Sequence, residues 1–345
     1  MKQRLSMLDK QVKPSTPASS PKPRGKITDD VWSSMNLDSQ MSAKAVGLRK
    51  ATAKMMDDCY DQLEKHVDET SFPHWIVDKF RPLGINGLTI KDFGSPAINT
   101  LETGSIIYEL AKRDGSIATF FLVHNSIGMA VVDTLGDEEQ RKRILTPAMN
   151  FDRILSFGLT EPTNGSDASN LKTTATKVEG GYLINGAKRW IGNATLGDVC
   201  CWARNPSDGN RVQCFVVEKG SKGYEPKKME GKWSLRMTQN ADITFKDCFV
   251  PDRNKLTHAK DFGTGTNAIL ETSRLVVAWM ACGLATGAYE NALRYTLKRI
   301  QFGKPIAKMQ LIQERLSRML SNCEFSLALL VSLSKRMDEG IATIG

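Results

Sequence analysis

Residues 159–193 read "LTEPTNGSDASNLKTTATKVEGGYLINGAKRWIGN", a stretch crowded with turn residues and hydroxyls around few apolar side chains. Backbone N–H groups in a Gly-rich turn can cradle a phosphate or the polar edge of a ring, and Trp190 offers an indole face for stacking on an aromatic system. Gly and Asn also mark plain turns, and a Trp is commonly a core residue. Composition alone leaves both readings open. Other chemistries have less to start from. The four histidines, His66, His74, His124 and His258, accompany no GxSxG or HExxH pattern, so each is expected as a core or surface histidine. Seven cysteines, an odd number with no CxxC pair, indicate neither a disulfide framework nor a zinc cage, and no metal site is expected. A reducing compartment fits this cysteine usage.

Elements able to position such a stretch can be read on both sides of it. At 345 residues, 41% hydrophobic and 25% charged, the chain is long enough for a sizeable core and two or three subdomains. Residues 1–27, rich in Pro, Ser and Lys, read as a disordered or targeting tail. Seven basic residues against the lone Asp9 put +6 of the formal +9 into the first 26 residues, leaving +3 for the body. That balance argues against a nucleic-acid groove and suits an anionic small ligand. Residues 28–153 carry helical periodicity: "MSAKAVGLRKATAKMMDDCYDQLEKHV" is amphipathic, and 117–136 is apolar nearly all round and expected as a buried helix. Asp137 is placed to cap the helix that follows. Residues 154–260 switch to short alternating runs around Gly180 and Gly181, a small β-domain. Residues 261–345 return to helix, with a stop at Gly303 and Pro305 between two long segments. The expected class is α+β: an N-terminal all-α domain, a central β-barrel or sheet, and a C-terminal helical bundle represented by about two of four helices. No run of eighteen apolar residues is present, and no membrane span is expected.

"FGLTEPTNGSDASNLKTTA" followed by "GYLINGAKRWIGN" resembles the flavin-binding signature of the acyl-CoA dehydrogenase and oxidase superfamily, and "SLRMTQNADITFKDCFVP", "SRLVVAW" and "RIQFGKPIAKMQLIQ" follow in the family's order. The similarity covers roughly residues 30–340. Within the superfamily, "VHNSIGM", "RWIGN" and "SRLVVAW" look most like the peroxisomal short-chain acyl-CoA oxidases, with glutaryl-CoA dehydrogenases next. The resemblance implies FAD as cofactor and acyl-CoA as substrate, with a carboxylate removing the α-proton while the flavin takes hydride from the β-carbon. It places Phe157, Leu159 and Thr160 along the isoalloxazine, Ser166 near the flavin pyrophosphate and the acyl-CoA, and Trp190, Ile191 and Gly192 beside the ring's dimethylbenzene side and N5. Arg299, Gln301, Phe302 and Gln310 match a second flavin motif that reaches the cofactor of a partner subunit, in a homodimer or homotetramer with the flavin at the interface. A guanidinium suits a diphosphate because its fork donates to two oxygens. Glu161 is expected to brace the turn rather than act as a base.

For the substrate, the resemblance points to Ala118, Thr119, Ser166, Glu271, Thr272, Ser273 and Arg274. Glutaryl-CoA dehydrogenases carry an arginine where this chain has Ala118, so a monocarboxylic acyl-CoA is expected. The catalytic glutamate of the family is expected beyond residue 345, in C-terminal helices this chain is expected to lack. Ser273 occupies the alternative base position of some relatives, and Glu271, two residues away, is about 200° round a helix from it. A catalytically inactive flavin- or acyl-CoA-binding, or assembly, subunit is the alternative function. Arg4, Leu5 and Gln11 resemble an N-terminal peroxisomal import signal, which makes the peroxisome the expected location, with the mitochondrial matrix the alternative.

Overall fold

The structure, a computed structural model, describes residues 30–342. The basic run and the Arg4, Leu5 and Gln11 pattern lie outside the described residues. Seven helices open the described chain: α1 (Val31–Ser34), α2 (Ala43–Asp68), α3 (Ile76–Phe80), α4 (Thr100–Arg113), α5 (Gly115–Leu122), α6 (Ala130–Leu135) and α7 (Glu138–Met149). Seven strands follow: β1 (Leu155–Gly158), β2 (Thr174–Val178), β3 (Gly181–Ile191), β4 (Asp198–Asn205), β5 (Arg211–Val217), β6 (Tyr224–Lys228) and β7 (Ala241–Pro251). Two long helices, α8 (Ala268–Lys298) and α9 (Gln310–Asp338), flank a small hairpin of β8 (Ile300–Gln301) and β9 (Lys304–Pro305). The order helices, strands, helices is the α+β arrangement expected.

Local chemistry sets the helix starts. Asp137 accepts from Gln140 N at 2.9 Å while the Gln140 side chain takes Asp137 N at 3.1 Å, a reciprocal cap that opens α7. Asn99 and Glu102 do the same for α4. α4 then lies buried among α2, α8 and α9, with Trp32, Tyr108, Trp279 and Leu327 in one apolar core. The approach of α8 to α4 requires glycine: a Cβ on Gly287 would come within 2.1 Å of the Lys112 carbonyl, and one on Gly283 within 2.5 Å of that of Tyr108.

The sheet runs β1-β4-β2-β3-β7-β6, with β5 on β4. β1 and β4 pair in parallel, whereas β2 and β3 form the antiparallel hairpin foreseen at Gly180, whose φ of 72° suits the tight turn. One sheet face packs on α6 and α7 through Met129, Leu155 and Trp202, and the other encloses Ile184, Phe215 and Ile243. β3 pairs β7 with a register shift between Lys188 and Ile191, and there Trp190 takes a φ of 63°.

The segment 117–136 departs from a plain buried helix. Between α5 and α6 it widens into a π-helix, Val123–Met129, at the place where Gly128 lies against Leu155. Two described stretches, Gly115–Leu135 and Phe262–Lys298, are long and apolar enough to cross a membrane by length and composition, although no run of eighteen apolar residues was found. In this fold they pack on α4, and 72% of the most apolar eighteen-residue window of the first and 33% of that of the second lie buried within the protein.

Candidate functional site

The end of β1 and the bulged end of β3 are stitched together. Arg189 N donates to Thr160 O at 2.8 Å, and Lys188 Nζ donates to Leu159 O at 3.0 Å and to Glu161 Oε1 at 2.9 Å. Glu161 also accepts from Lys172 N at 2.5 Å and Thr173 N at 2.9 Å, so it braces the turn as expected. Burial pushes its carboxyl pKa up, but the Lys188 charge and these hydrogen bonds outweigh that and hold it below the ordinary value. Among the described residues, none accepts the Thr160 N–H or bonds its hydroxyl. The indole of Trp190 is 56% exposed, with the Arg189 guanidinium 5.6 Å from its centroid.

This edge faces the helical layer. Asn193 Nδ2 donates to Phe120 O at 2.9 Å, Asn240 Nδ2 donates to Trp190 O at 3.1 Å, and a Cβ at Gly192 would stand 3.3 Å from Val123. One helix position from there, the Thr119 hydroxyl lies 3.5 Å from Met280 Sδ on α8. Ser273, Val277, Met280 and Leu284 share one face of α8 by helical spacing. Gly192 and Val123 thus meet beside Trp190 at the end of β3, and Thr119 meets Met280 on the face of α8 that also carries Val277 by helical spacing.

Of the first set of residues expected at a flavin, the structure brings Leu159, Thr160, Trp190, Ile191 and Gly192 together. Phe157 is half-buried edge-on to Trp202, and Ser166 is exposed in the following turn. Arg299, Gln301, Phe302 and Gln310 do not join them. They lie exposed around the β8–β9 hairpin, 26 residues along α8 from Ser273, which is about 40 Å of helix. The substrate set divides as well. Ala118 is fully buried in the helical core, and its neighbour Thr119 is the one that meets α8. Ser273 is buried with its hydroxyl on Leu270 O, Arg274 is exposed, and Glu271 points half a turn away from Ser273. Thr272 lines a cavity of about 330 Å³ between α4, α6 and α8 with Thr103, Leu275 and Trp279.

Two residues of this region carry chemistry that the sequence reading passed over. Lys188 is fully buried, and its signal was the phase of β3, where Tyr182, Ile184 and Lys188 all point inward. His124, read only as a core or surface histidine, sits fully buried in the π-helix, accepting from Leu155 N and donating to Ala148 O, both at 3.1 Å; burial holds its pKa down to about 4. Among the described residues no three of His, Cys, Asp or Glu converge as metal ligands.

Family models match in three consecutive pieces: the N-terminal domain of acyl-CoA dehydrogenases over residues 42–152, the middle domain over 156–248 and the C-terminal domain over 264–344. An acyl-CoA dehydrogenase of Bacillus subtilis (strain 168) is 31% identical over 267 residues, 76% of this chain and 70% of its own length. The crystal structure of glutaryl-CoA dehydrogenase from Mycobacterium smegmatis superimposes with a TM-score of 0.84 at 25% identity, covering 90% of this chain and 80% of that one. Butyryl-CoA dehydrogenase from Megasphaera elsdenii does so with 0.81 at 28%, covering 88% and 81%. All three relatives are dehydrogenases, and none represents the peroxisomal oxidase branch that "VHNSIGM" and "RWIGN" suggested. All three domains of the family are matched here, and the chain belongs to the acyl-CoA dehydrogenase family.

Proposed function

We propose that the protein performs the α,β-dehydrogenation of a short-chain, monocarboxylic acyl-CoA to the trans-2-enoyl-CoA, with FAD as the bound cofactor. The observation that carries this reading is the meeting of Thr160, Trp190 and Gly192 on one edge of the sheet, where Gly192 abuts Val123 one helical turn from the Thr119–Met280 contact. The residues present fit a flavin: an uncommitted N–H and hydroxyl at Thr160 for a polar ring edge, Leu159 and Ile191 for apolar contact, an exposed indole, and a glycine that leaves room. When bound, the flavin accepts hydride from the β-carbon. The chain's own part is to hold the thioester against that edge, exclude water with apolar side chains such as Val123 and Met280, and orient the Cα proton toward a base. Among the described residues no carboxylate stands on the Ser273, Val277 and Met280 face of α8. That observation favours a second reading, a flavin- or acyl-CoA-binding subunit without turnover of its own. The exposure of Arg299, Gln301 and Phe302 a helix length away supports their contacting the cofactor of a second protomer.

Substrate choice follows from charge. A distal carboxylate bound against Thr119, Val123 or Met280 would meet no cation at these positions, and an unpaired buried charge is strongly disfavoured. Butyryl-CoA is expected to show a kcat/KM at least about tenfold above that of glutaryl-CoA, since one uncompensated interaction of about 1.4 kcal/mol already gives that factor. Steady-state rates on the two thioesters check it; equal or reversed preference would contradict the monocarboxylic reading, and no turnover of either favours the binding subunit. Admission of oxygen to the reduced protein separates oxidase from dehydrogenase by the peroxide formed.

A further inference from the structure

We infer that Lys188 and Glu161 form a buried charge clamp that holds and polarises the peptide between Leu159 and Thr160, making the Thr160 N–H a fixed, strengthened donor at the edge of the site. The inference rests on the flavin reading above and adds to it the residues that set the electrostatics of that edge.

Lys188 occupies an inward position of β3, where the alternation calls for an apolar side chain, and it is fully buried. Taking an ammonium and a carboxylate out of water costs several kcal/mol per ion, and a well-packed apolar pair braces a turn at lower cost. What an apolar pair cannot do is place charge. Here the ammonium stands 3.0 Å from the Leu159 carbonyl oxygen, and that carbonyl belongs to the same peptide unit as the Thr160 N–H. A hydrogen bond to the oxygen of a peptide strengthens the donor at its other end. The next peptide is pinned as well, because the Thr160 carbonyl accepts from Arg189 N, so the backbone is held on both sides of the Thr160 Cα.

Glu161 completes the clamp. Two backbone amides fix its carboxylate, Lys172 N on Oε2 and Thr173 N on the same Oε1 that Lys188 reaches, so the ammonium meets a fixed partner. Because β3 runs on from Lys188 into the left-handed Trp190 and then Gly192, the same clamp ties the Thr160 side of the site to the Trp190 side. Lys188 and Glu161 touch the reacting groups through this peptide only, and they are positioning residues.

The two charges act with opposite sign on any ring that gains electron density beside Thr160. The ammonium favours the reduced cofactor and the carboxylate opposes it. The test is the midpoint potential of bound FAD, with FAD content and thermal midpoint measured alongside, in the parent protein, Lys188→Met and Glu161→Gln. Lys188→Met is expected to move the ratio of affinities for oxidised and reduced FAD about tenfold toward the oxidised form, about 30 mV lower for a two-electron couple. Glu161→Gln is expected to move it the other way. General loosening of the turn does not produce shifts of opposite sign, and each variant has its own expected sign, so one folded variant decides the matter. Unchanged potentials, or shifts of the same sign, overturn the clamp while the parent still holds FAD. A parent protein that holds no FAD overturns the flavin reading and the clamp together.

Discussion

Acidification from pH 6.5 to 4 is expected to remove about 3 kcal/mol of folding stability through His124 alone. The imidazole is fully buried, and its two ring nitrogens are committed to Leu155 N and Ala148 O, a pattern that requires the neutral form. Burial holds the folded-state pKa at about 4, against 6.5 for an ordinary histidine. Between those values the unfolded chain binds the proton and the folded chain does not, so stability rises with pH across the window and is lost as pH falls through it. Well above pH 6.5 the histidine is neutral in both states and contributes no slope. Urea midpoints at pH 7.5, 5.5 and 4.5 check this, with His124→Gln as the comparison: the parent is expected to fall more steeply than the variant. Parallel curves would remove His124 as the cause. The histidine follows Val123, which faces Gly192, so the end of β3 is expected to loosen in the same window.

Arg299→Ala is expected to lower FAD affinity about tenfold or more while leaving the fold intact. The residue ends α8, exposed and outside the apolar core, so removing it costs little packing. In the proposed dimer its guanidinium faces a diphosphate, and charge-assisted hydrogen bonds of this type contribute about 1.5–3 kcal/mol, which corresponds to a factor of about ten to a hundred or more. Because Arg299 lies about 40 Å along α8 from Ser273, the loss should appear only where protomers associate. FAD retention during gel filtration, measured with oligomeric state on the same sample, checks both points. Full FAD retention by an oligomeric Arg299→Ala protein would take the hairpin out of the cofactor site.

Features set by neighbours in sequence were legible, and those set by distant partners were not. The Asp137 cap, the Gly180 turn and the helix stop before Gly303 all depend on residues within a few positions, and each stands where the pattern placed it, whereas Glu161 braces its turn through partners 11 to 27 residues on. The π-helix of 123–129 has no local signature, because Gly128 and His124 acquire their roles only against Leu155 and Ala148. Lys188 looked like one more charge in a strand; its burial depends on a carboxylate 27 residues earlier. Ala118 was singled out for the substrate from the family's pattern, yet the rotation of α5 turns it into the core and presents Thr119 to Met280 instead. Arg299, Gln301, Phe302 and Gln310 are neighbours in sequence and lie around one hairpin, but their separation from Thr160 is a matter of helix length and appears only in the fold.

Anaerobic mixing of the FAD-loaded protein with butyryl-CoA, followed by flavin absorbance, tests the dehydrogenation most directly. Bleaching of the flavin, with one enoyl-CoA formed per flavin bleached, is the expected result. An FAD-loaded protein whose absorbance stays unchanged at saturating butyryl-CoA, with no enoyl-CoA formed, would contradict it.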